Sequence, residues 1–291
     1  MARSAADRER ERQTRSNRNS LASQALFQGH RDRLTHAILE RCAPRSGDRL
    51  CILGAGNCQD LELPELASRY RELHLVDLDE QALTRARDRQ PRSVREQLVL
   101  HPGLDLSQLL GELDASRALA WAPERLAQQP GSAAAQIARA IGARFESVVS
   151  ACVLSQMQLA LCTELSEAHP LFAALSYTLG LTHLRTLAAL SAPGGRALLC
   201  SDVADEQLAP LAGLGPDANL LELLAQLVLA GEVFHSVDPV LMSQMLIDDP
   251  LLARDVLLQP LRDVWLWQLT AERSYLVYAL LLERRGGSPH I

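Results

Sequence analysis

The sequence predicts an α/β protein built as a three-layer sandwich, with helices on both faces of a mostly parallel β-sheet. Three observations support this prediction. Within residues 49–83, an apolar strand, a glycine turn and a second strand ending in an acid follow one another. Apolar strand-like runs then alternate with helical patterns as far as about residue 201. The last two strand-like runs are joined by a short polar turn, which predicts a C-terminal hairpin.

The composition is that of a folded globular protein. Of the 291 residues, 47% are hydrophobic and 22% are charged, and the net charge of -6 gives no general reason to expect a nucleic acid as partner. All 29 basic side chains are Arg, because the sequence contains no Lys. This excludes a Walker A phosphate loop and Schiff-base chemistry, since both need a Lys amine. A GC-rich genome is the plain explanation of the arginine bias.

Cysteine usage and hydropathy indicate the cellular setting. The six cysteines are scattered without a C-x-x-C pair, so we expect small core residues and no metal site. No stretch reaches the roughly 18 consecutive apolar residues of a membrane span, and the first 20 residues are too polar for a secretory signal. We therefore expect a reduced, cytoplasmic protein that does not bind membranes.

Two segments precede the predicted sheet. Residues 1–20 hold six Arg, three acids and almost nothing apolar, which predicts a disordered basic tail. An RNA-binding arm is the alternative, although charge runs at termini are usually just solvated. Residues 21–48 should form a helical lead-in, because their apolar residues recur at helical spacing.

The predicted main domain spans residues 49–291. Its first strand ends in a G-x-G turn at Gly54 and Gly56, where glycine lets the backbone approach a ligand closely. The second strand ends at Asp77, with Asp79 just beyond. An acid in this place accepts hydrogen bonds from ribose hydroxyls. An ordinary βαβ unit with an incidental acid is the plain alternative.

The remaining elements follow in chain order. Further strands are expected at residues 97–101, 145–153 and 196–201, and the hairpin strands at residues 264–269 and 275–282. A helix ended by Gly194 and Gly195 should precede the fifth strand.

Two insertions are expected in the domain. Residues 203–260 show helical periodicity and should form a helical cap over the substrate pocket. Residues 114–143 form a second, Ala-rich insertion that Pro130 and Gly131 should break. Either insertion could make a homodimer contact.

This order of elements resembles the class I S-adenosylmethionine (SAM)-dependent methyltransferases. Their Rossmann-like sheet has seven mostly parallel strands and ends in an antiparallel hairpin. The resemblance covers residues 26–285 and is specific at the motif level in residues 51–83. It implies SAM as cofactor and in-line methyl transfer to a small-molecule or peptide acceptor. An NAD-dependent oxidoreductase is a further alternative, which the terminal hairpin argues against.

The resemblance also implies where the cofactor binds. The glycine turn and its polar neighbours would hold the methionine part, the acid ending the second strand the ribose, and the acid after the third strand the adenine amine. The exit of the fourth strand would line the sulfonium. The residues assigned in this way are Gly54, Ala55, Gly56, Asn57, Asp60, Asp77, Leu78, Asp105, Leu106, Ser150 and Ala151.

Two positions depart from the family's pattern. Ile52 stands where an acid is common, and Cys58 replaces the third glycine of the loop. These departures imply that the loop geometry, or the binding of the cofactor's amino group, differs. They also motivate an alternative function, a SAM-binding regulatory or scaffold protein without turnover.

The acceptor side is less defined. Small-molecule O-methyltransferases often have a His after the fourth strand, but this chain reads Val153-Leu154-Ser155-Gln156. The Asn-Pro-Pro-Tyr motif of amine and amide methyltransferases is absent as well. Ser155 and Gln156 are therefore the acceptor-side candidates, and a helix N-cap is the plain alternative for them.

Histidines supply the remaining candidate bases. His169, His183 and His235 are considered, and His235 is kept as a candidate, although a lone His is more often a surface or satisfied core residue. His30 and Arg31 in the lead-in helix could cover the cofactor or pair with its carboxylate. A plain exposed helix face is the alternative for these two residues.

Overall fold

The structure is a computed structural model that describes residues 4–20, 25–112, 121–211, 213–215, 217–270 and 272–286. The strands are β1 (Arg49–Leu53), β2 (Glu72–Asp77), β3 (Leu98–Pro102), β4 (Phe145–Ala151), β5 (Ser191–Asp205), β6 (Val256–Leu258), β7 (Asp263–Gln268) and β8 (Ser274–Arg284). The helices are α1 (Ala5–Ser20), α2 (Gln28–Cys42), α3 (Leu63–Arg69), α4 (Glu80–Asp88), α5 (Arg92–Arg95), α6 (Pro123–Ile141), α7 (Val153–Leu165), α8 (Phe172–Leu190), α9 (Leu220–Ala230), α10 (Pro239–Asp248) and α11 (Pro250–Asp255).

The described strands form one sheet in the order β3-β2-β1-β4-β5-β8-β6, with β7 also paired to β8. Strands β1 to β5 are parallel, whereas β8 runs antiparallel to β5, β6 and β7. The predicted Rossmann-like sandwich with a C-terminal antiparallel hairpin is confirmed. The sheet has eight strands, and not seven, because two separate segments, β6 and β7, pair along the long strand β8.

Alternate residues of the strands pack into two apolar layers, as the period of a β-strand requires. On one face, Leu50 and Ile52 of β1 pack with α2, α3 and α4. On the other face, Cys51 and Leu53 pack with the layer that contains α6, α7 and α8. Both faces of the parallel strands are thus covered, which explains their nearly continuous apolar sequence. No helix in the described part of the chain combines the length and apolar character of a membrane span.

The N-terminal tail differs from its prediction. Residues Ala5–Ser20 form helix α1, where the sequence predicts a disordered tail. The Ser4 hydroxyl accepts a hydrogen bond from the backbone N–H of Asp7 (3.1 Å), which caps the first turn. An Arg12–Glu9 ion pair (2.6 Å) links successive turns. Contacts with distant side chains, described below, hold this polar helix against the domain.

The predicted end of the helix before β5 needs a correction. Helix α8 ends at Leu190, and Gly194 and Gly195 lie inside β5, whose pairing with β4 shifts register there. A Cβ on Gly195 would lie 3.0 Å from the carbonyl oxygen of Phe145, and Gly194 has a φ of 77°. The glycines therefore form an irregularity at the start of β5 and not a helix cap.

The insertion predicted at residues 114–143 also differs. Its described part, α6, runs through Pro130 and Gly131 without a break. Pro130 removes one backbone donor, but the buried face of α6, which includes Ala133 and Ile137, holds the helix in the core. Residues 114–120 lie outside the described residues. This helix is one of the regular covering helices of the sheet.

Residues 203–260 contain the predicted helices, α9, α10 and α11, but most of them lie elsewhere than expected. Met242 and Met245 of α10 pack over Gly180 in α8, within 3.3 Å of where a Cβ on that glycine would be. Helices α10 and α11 therefore cover α8 and β6, at the flank of the sheet. Among the described residues of this segment that follow β5, Phe234 lines the functional cleft. Helices α10 and α11 therefore do not form a cap over the substrate pocket.

Candidate active site

The glycine turn after β1 packs tightly against the start of α7. The backbone N–H groups of Gly54 and Ala55 donate to the carbonyl of Val76 at 2.9 and 3.1 Å. A Cβ on Gly54 would lie only 2.3 Å from the Cβ of Val153, and Gly54 has a φ of 74°. Both the conformation and the space at this position therefore require glycine.

Cys58, which replaces the third glycine of the family's loop, has a φ of 53°. This left-handed conformation costs a non-glycine residue roughly 1–2 kcal/mol. The buried Cys58 thus occupies a backbone conformation typical of glycine, and the loop keeps its curvature. Ile52, the other departure, is fully buried in the apolar layer below the loop and does not reach the cleft.

Asp77 stands at the end of β2, beside the glycine turn. Its two carboxylate oxygens accept hydrogen bonds from the backbone N–H groups of Gly56 and Asp79, both at 2.8 Å. Burial raises the pKa of Asp77 to about 6, although these hydrogen bonds act in the opposite direction. Each oxygen keeps a further lone pair that can accept a ligand hydroxyl. Asp79 instead caps α4 by accepting from the N–H of Ala82 (3.1 Å).

Gln59 and Asp60 line the cleft beside the glycine turn. The side-chain amide of Gln59 is buried, and neither its nitrogen nor its oxygen has a hydrogen-bond partner among the described residues. Burial raises the pKa of Asp60 to about 7. A buried amide without hydrogen-bond partners, such as that of Gln59, is uncommon, and a polar ligand would supply the missing partners. Asp60 was predicted from its position in the glycine turn, whereas Gln59 was not predicted.

Arg31 supports this loop from behind. Its guanidinium donates to the carbonyl of Gln59 (2.8 Å) and pairs with Glu62 (2.6 Å). The neighbouring His30 accepts a hydrogen bond from the indole N–H of Trp265 (2.9 Å). Both residues are buried, so the expectation of an exposed helix face is wrong. Neither side chain lines the cleft, since both pack against the loop or the hairpin.

The predicted adenine end lies where β2 and β3 end. Leu78, Asp105 and Leu106 line one part of the cleft together with Ser107. The carboxylate of Asp105 accepts hydrogen bonds from the backbone N–H (2.8 Å) and hydroxyl (2.6 Å) of Ser107. Its second oxygen accepts from the backbone N–H of Leu110 (3.2 Å), so the carboxylate stabilises its own turn and keeps one lone pair for a ligand amine.

The exit of β4 brings Ala151 to the cleft but not the side chain of Ser150. Ser150 is fully buried, and its hydroxyl lies 2.8 Å from Nε2 of His183. Because successive side chains of a strand point to opposite faces, only one of the two can line the cleft. The Ser150 side chain therefore packs in the core, and the prediction that Ser150 contacts the cofactor stays a prediction. Burial lowers the pKa of His183 to about 4, which keeps this core residue neutral.

The other candidate bases also lie away from the cleft. His235 is exposed, lies 3.2 Å from the carboxylate of Glu167, and contacts the ring of Phe172. Nδ1 of His169 accepts from the backbone N–H of Leu171 (3.2 Å) in a turn before α8. The fold therefore brings neither histidine to the predicted site.

Helix α1 lies across the cleft. At one end, Arg8 pairs with Glu164 of α7, and at the other, Asn17 donates to the carboxylate of Asp79 at 3.1 Å. Asn57 of the glycine turn donates to the backbone carbonyl of Asn17 (2.8 Å). Gln13 lines every part of the cleft. Beneath α1, the parts of the cleft predicted to hold the adenine and the methionine have volumes of about 30 and 90 Å³.

A larger pocket of about 350 Å³ adjoins the methionine end and shares Gln13, Gln156 and Trp267 with it. Ser155 lines this pocket and donates a hydrogen bond to the carboxylate of Asp202 (2.5 Å). Burial raises the pKa of Asp202 to about 6. Ser155 and Gln156 therefore line the same pocket, and their role on the acceptor side stays a prediction.

The other important residues of this pocket were not predicted as site residues. They are Asp202, Trp267 and Tyr275. Asp202 lies near the end of β5, on the same sheet edge as Asp77, and an acid at a strand end was the signal available. The aromatic residues lie on the hairpin strands, whose partners cannot be assigned until the sheet order is known.

Comparison with known proteins gives fold-level similarities. No family profile and no curated protein matches the sequence. Among solved structures, the YcgJ protein from Bacillus subtilis is 11% identical, with coverage of 87% of this chain and 98% of that chain and a TM-score of 0.45. The N-methyltransferase NodS from Bradyrhizobium japonicum is 13% identical, with coverage of 90% and 97% and a TM-score of 0.40.

A third similar structure is the magnesium protoporphyrin IX methyltransferase ChlM from Synechocystis PCC 6803, with bound SAH. It is 14% identical, with coverage of 92% of this chain and 83% of that chain and a TM-score of 0.39. The features of the sheet that identify the fold are five parallel strands followed by the antiparallel β8, which lies between β5 and β6. By strand order and strand direction, the chain has the Rossmann-like fold of the class I S-adenosylmethionine-dependent methyltransferases.

Proposed function

We propose that the chain is a SAM-dependent methyltransferase that acts on a small-molecule or peptide acceptor. One observation carries the proposal: a cofactor-type cleft at the carboxyl ends of β1, β2 and β4 opens directly into a second pocket of about 350 Å³. Ligands of open α/β sheets bind outside the carboxyl ends of the strands. Two adjoining pockets are what the transfer of a group between two bound molecules requires.

The residues of the cleft fit SAM by their chemistry. The amide of Gln59, which has no partner among the described residues, and the carboxylate of Asp60 suit the amino-acid part. The free lone pairs of Asp77 suit the ribose hydroxyls, and the one that remains on Asp105 suits the adenine amine. Each of these groups lies at the end of a parallel strand or in the turn that follows it.

Helix α1 lies across the cleft, and its Gln13 lines every part of it. Entry of SAM therefore requires α1 to move. The contacts of α1 with the domain are almost all polar, and such contacts exchange readily with water. When the helix docks again, Gln13 and Asn17 exclude water from the bound molecule.

When bound, SAM supplies an activated methyl group on a sulfonium. The protein then has to orient the acceptor and keep water out. Gln156 lies between the two pockets, and Ser155 and Asp202 form the polar part of the second pocket. Asp202 is the group in this pocket that can take up a proton from the acceptor.

Isothermal titration with SAM tests the proposal. We expect Asp77→Asn to weaken binding by about 10- to 100-fold, the effect of losing hydrogen bonds to a charged group. The matched control is Asp88→Asn, which makes the same change at an exposed position of α4. Asn retains one acceptor oxygen, and thermal unfolding will establish that the variant folds. Absence of SAM binding by the wild type would contradict the proposal.

Turnover is tested separately, by release of S-adenosylhomocysteine with a panel of amine, hydroxyl and peptide acceptors. The proposal predicts release with at least one class of acceptor. Tight SAM binding without release across the panel would instead favour the alternative, a SAM-binding regulatory or scaffold protein. The two measurements together therefore distinguish an enzyme from a binding protein.

A further inference from the structure

We propose that the pocket beside the cofactor cleft binds the acceptor as an amine, with the ammonium group against Asp202 and its organic part between aromatic rings. This inference rests on the proposed function, because it names the acceptor class of that same site. It is argued from the walls of the pocket, from its charge balance and from the orientation of Asp202.

Aromatic side chains form the walls of the pocket. Phe234, Trp267 and Tyr275 all line it. The ring of Tyr275 lies 5.6 Å from that of Trp267 and 6.2 Å from that of Phe234. The faces of such rings attract cations, especially where water is excluded. The guanidinium of Arg273 already lies over the ring of Tyr275, 4.9 Å from its centroid, and His30 stacks on Trp267 with the ring centroids 4.3 Å apart. The ring surface that remains in the pocket suits an ammonium group with an apolar body better than an anion.

The charge balance of the pocket points the same way. Arg273 is paired with Asp205 at 2.7 Å, and Arg12 of α1 is paired with Glu9 at 2.6 Å. Each arginine at the rim is thus neutralised by its own carboxylate. Asp202 has no ion-pair partner among the described residues, so the pocket carries one surplus negative charge when this group is ionised.

Local structure fixes the orientation of Asp202. A register irregularity between Asp202 and Ala204 interrupts the pairing of β5 with β8 at this point. Such bulges redirect side chains next to sites. The Ser155 hydroxyl donates to one carboxylate oxygen, and it is the one described side chain that does so. Asp202 is therefore held in place while still lining the pocket.

The proposed step is balanced. Asp202 takes one proton from the bound ammonium, which leaves a neutral amine with a free electron pair. The nitrogen then forms a bond to the methyl carbon as the carbon–sulfur bond breaks, and that bonding pair stays on sulfur. The product leaves as the methylated ammonium, and Asp202 returns its proton to water, which restores the carboxylate. Ser155 serves as a positioning residue, since it acts through Asp202.

Probe binding without SAM tests the inference. Benzylamine and benzyl alcohol have similar shapes, but only the amine is cationic at pH 7.5. We expect the full-length wild type to bind benzylamine at least tenfold more tightly, as measured by titration calorimetry and Trp fluorescence. Asp202→Asn should abolish this preference, whereas Asp248→Asn, the same change at an exposed position of α10, should retain it. Equal binding of both probes to the wild type would overturn the inference.

Ser155→Ala supplies a second test, which keeps the charge of Asp202 and so remains informative if Asp202→Asn fails to fold. The Ser155 hydrogen bond lowers the pKa of Asp202 against the larger effect of burial, so its loss should raise that pKa. Asp202 loses its negative charge as the pH falls through its pKa. In the variant, the preference for benzylamine should therefore be lost at a higher pH than in the wild type when the pH is lowered. The other titratable or charged groups around the pocket are Arg12, Asp205, Arg273 and Tyr275. An unchanged pH profile would contradict the assignment.

The outcomes separate this inference from the proposed function. If SAM binds but the protein shows no preference for the amine, the acceptor class is wrong while the methyltransferase proposal stands. If the amine preference depends on Asp202 but SAM does not bind, the pocket is confirmed as an amine site and the methyltransferase proposal fails.

Discussion

Helices α1 and α2 both precede the first strand, but different forces attach them to the domain. The buried face of α2 contains Leu34, Ile38 and Ala37, which lie within the apolar layer on one side of the sheet. Among the described residues of helix α1, Ala5 is the one buried apolar side chain and Ala6 packs partly buried beside the core. Its other contacts with the domain are ion pairs and hydrogen bonds.

The difference shows that α2 is part of the core of the domain, whereas α1 covers the cleft. Burial of an aliphatic side chain contributes roughly 1.5–3 kcal/mol, whereas an exposed ion pair contributes about 0–1 kcal/mol. Helix α2 therefore stays in place while the domain is folded. Helix α1 can leave the cleft at small cost, which is what a cleft that binds a nucleoside needs.

The largest expected effect is on α2. Leu34→Ala removes a fully buried side chain and should lower the free energy of unfolding by about 2–5 kcal/mol. Arg10→Ala, at an exposed position of α1, should change it by less than about 0.5 kcal/mol. Urea unfolding of the two variants measures both values. Equal losses would remove the distinction between the helices.

The pH dependence of stability tests how firmly the start of α2 is buried. Burial lowers the pKa of His30 to about 3, below the ordinary histidine value of 6.5 that applies in the unfolded chain. The unfolded chain then binds more protons, so stability is lost as pH falls from 6.5 toward 3, by up to about 1.4 kcal/mol per unit.

His30→Asn keeps an acceptor for the Trp265 indole but cannot titrate. Between pH 7 and pH 5, we expect the variant to lose about 2 kcal/mol less than the wild type in urea unfolding. His183 titrates in both proteins, so its contribution cancels in this comparison. The same loss in both proteins would show that His30 is not buried as a neutral group.

A smaller effect is expected for the contacts of α1. Asn17→Ala removes the side chain that donates to Asp79, which should weaken the docking of α1 by about 1 kcal/mol. If α1 covers the cleft, SAM should associate up to about fivefold faster, as measured by stopped-flow fluorescence. The free energy of unfolding should barely change. Slower association would indicate that Asn17 assists binding instead of covering the site.

The smallest effect concerns the ion pair at the other end of α1. Arg8→Ala should change the free energy of unfolding by less than about 1 kcal/mol, and high salt should reduce even this difference. Trypsin should cleave at Arg12 and Arg15 faster in the variant, while Arg33 of α2 stays protected. Cleavage in both helices at one rate would contradict the comparison.

The sequence predicted the parallel strands because they are short apolar runs separated by turns, and it predicted the hairpin for the same reason. It could not predict α1. The partners that hold this helix, such as Glu164 and Asp79, lie far along the chain, so a polar composition alone indicated disorder. Helix α6 shows the opposite error, since packing overrides the break expected at Pro130.

The cofactor side of the site followed from strand ends, which are visible in the sequence as an acid or glycine after an apolar run. Asp77, Asp60 and Ala151 line the cleft for this reason. The side chain of Ser150 points into the core instead, because successive residues of a strand face opposite sides of the sheet. The acceptor side depends on β8 lying beside β5, and strand order of this kind is a tertiary property.

The hydrogen bond between Trp265 and His30 joins residues that are 235 positions apart in the chain. At roughly 5–20 residues per second, a ribosome takes on the order of 10–50 seconds to make the intervening segment. For that time the parallel strands can assemble while the start of α2 still lacks its partner. Strand β7, which is synthesised after the parallel strands, completes the packing of helix α2. A polypeptide truncated before β7 should therefore be held by chaperones and degraded.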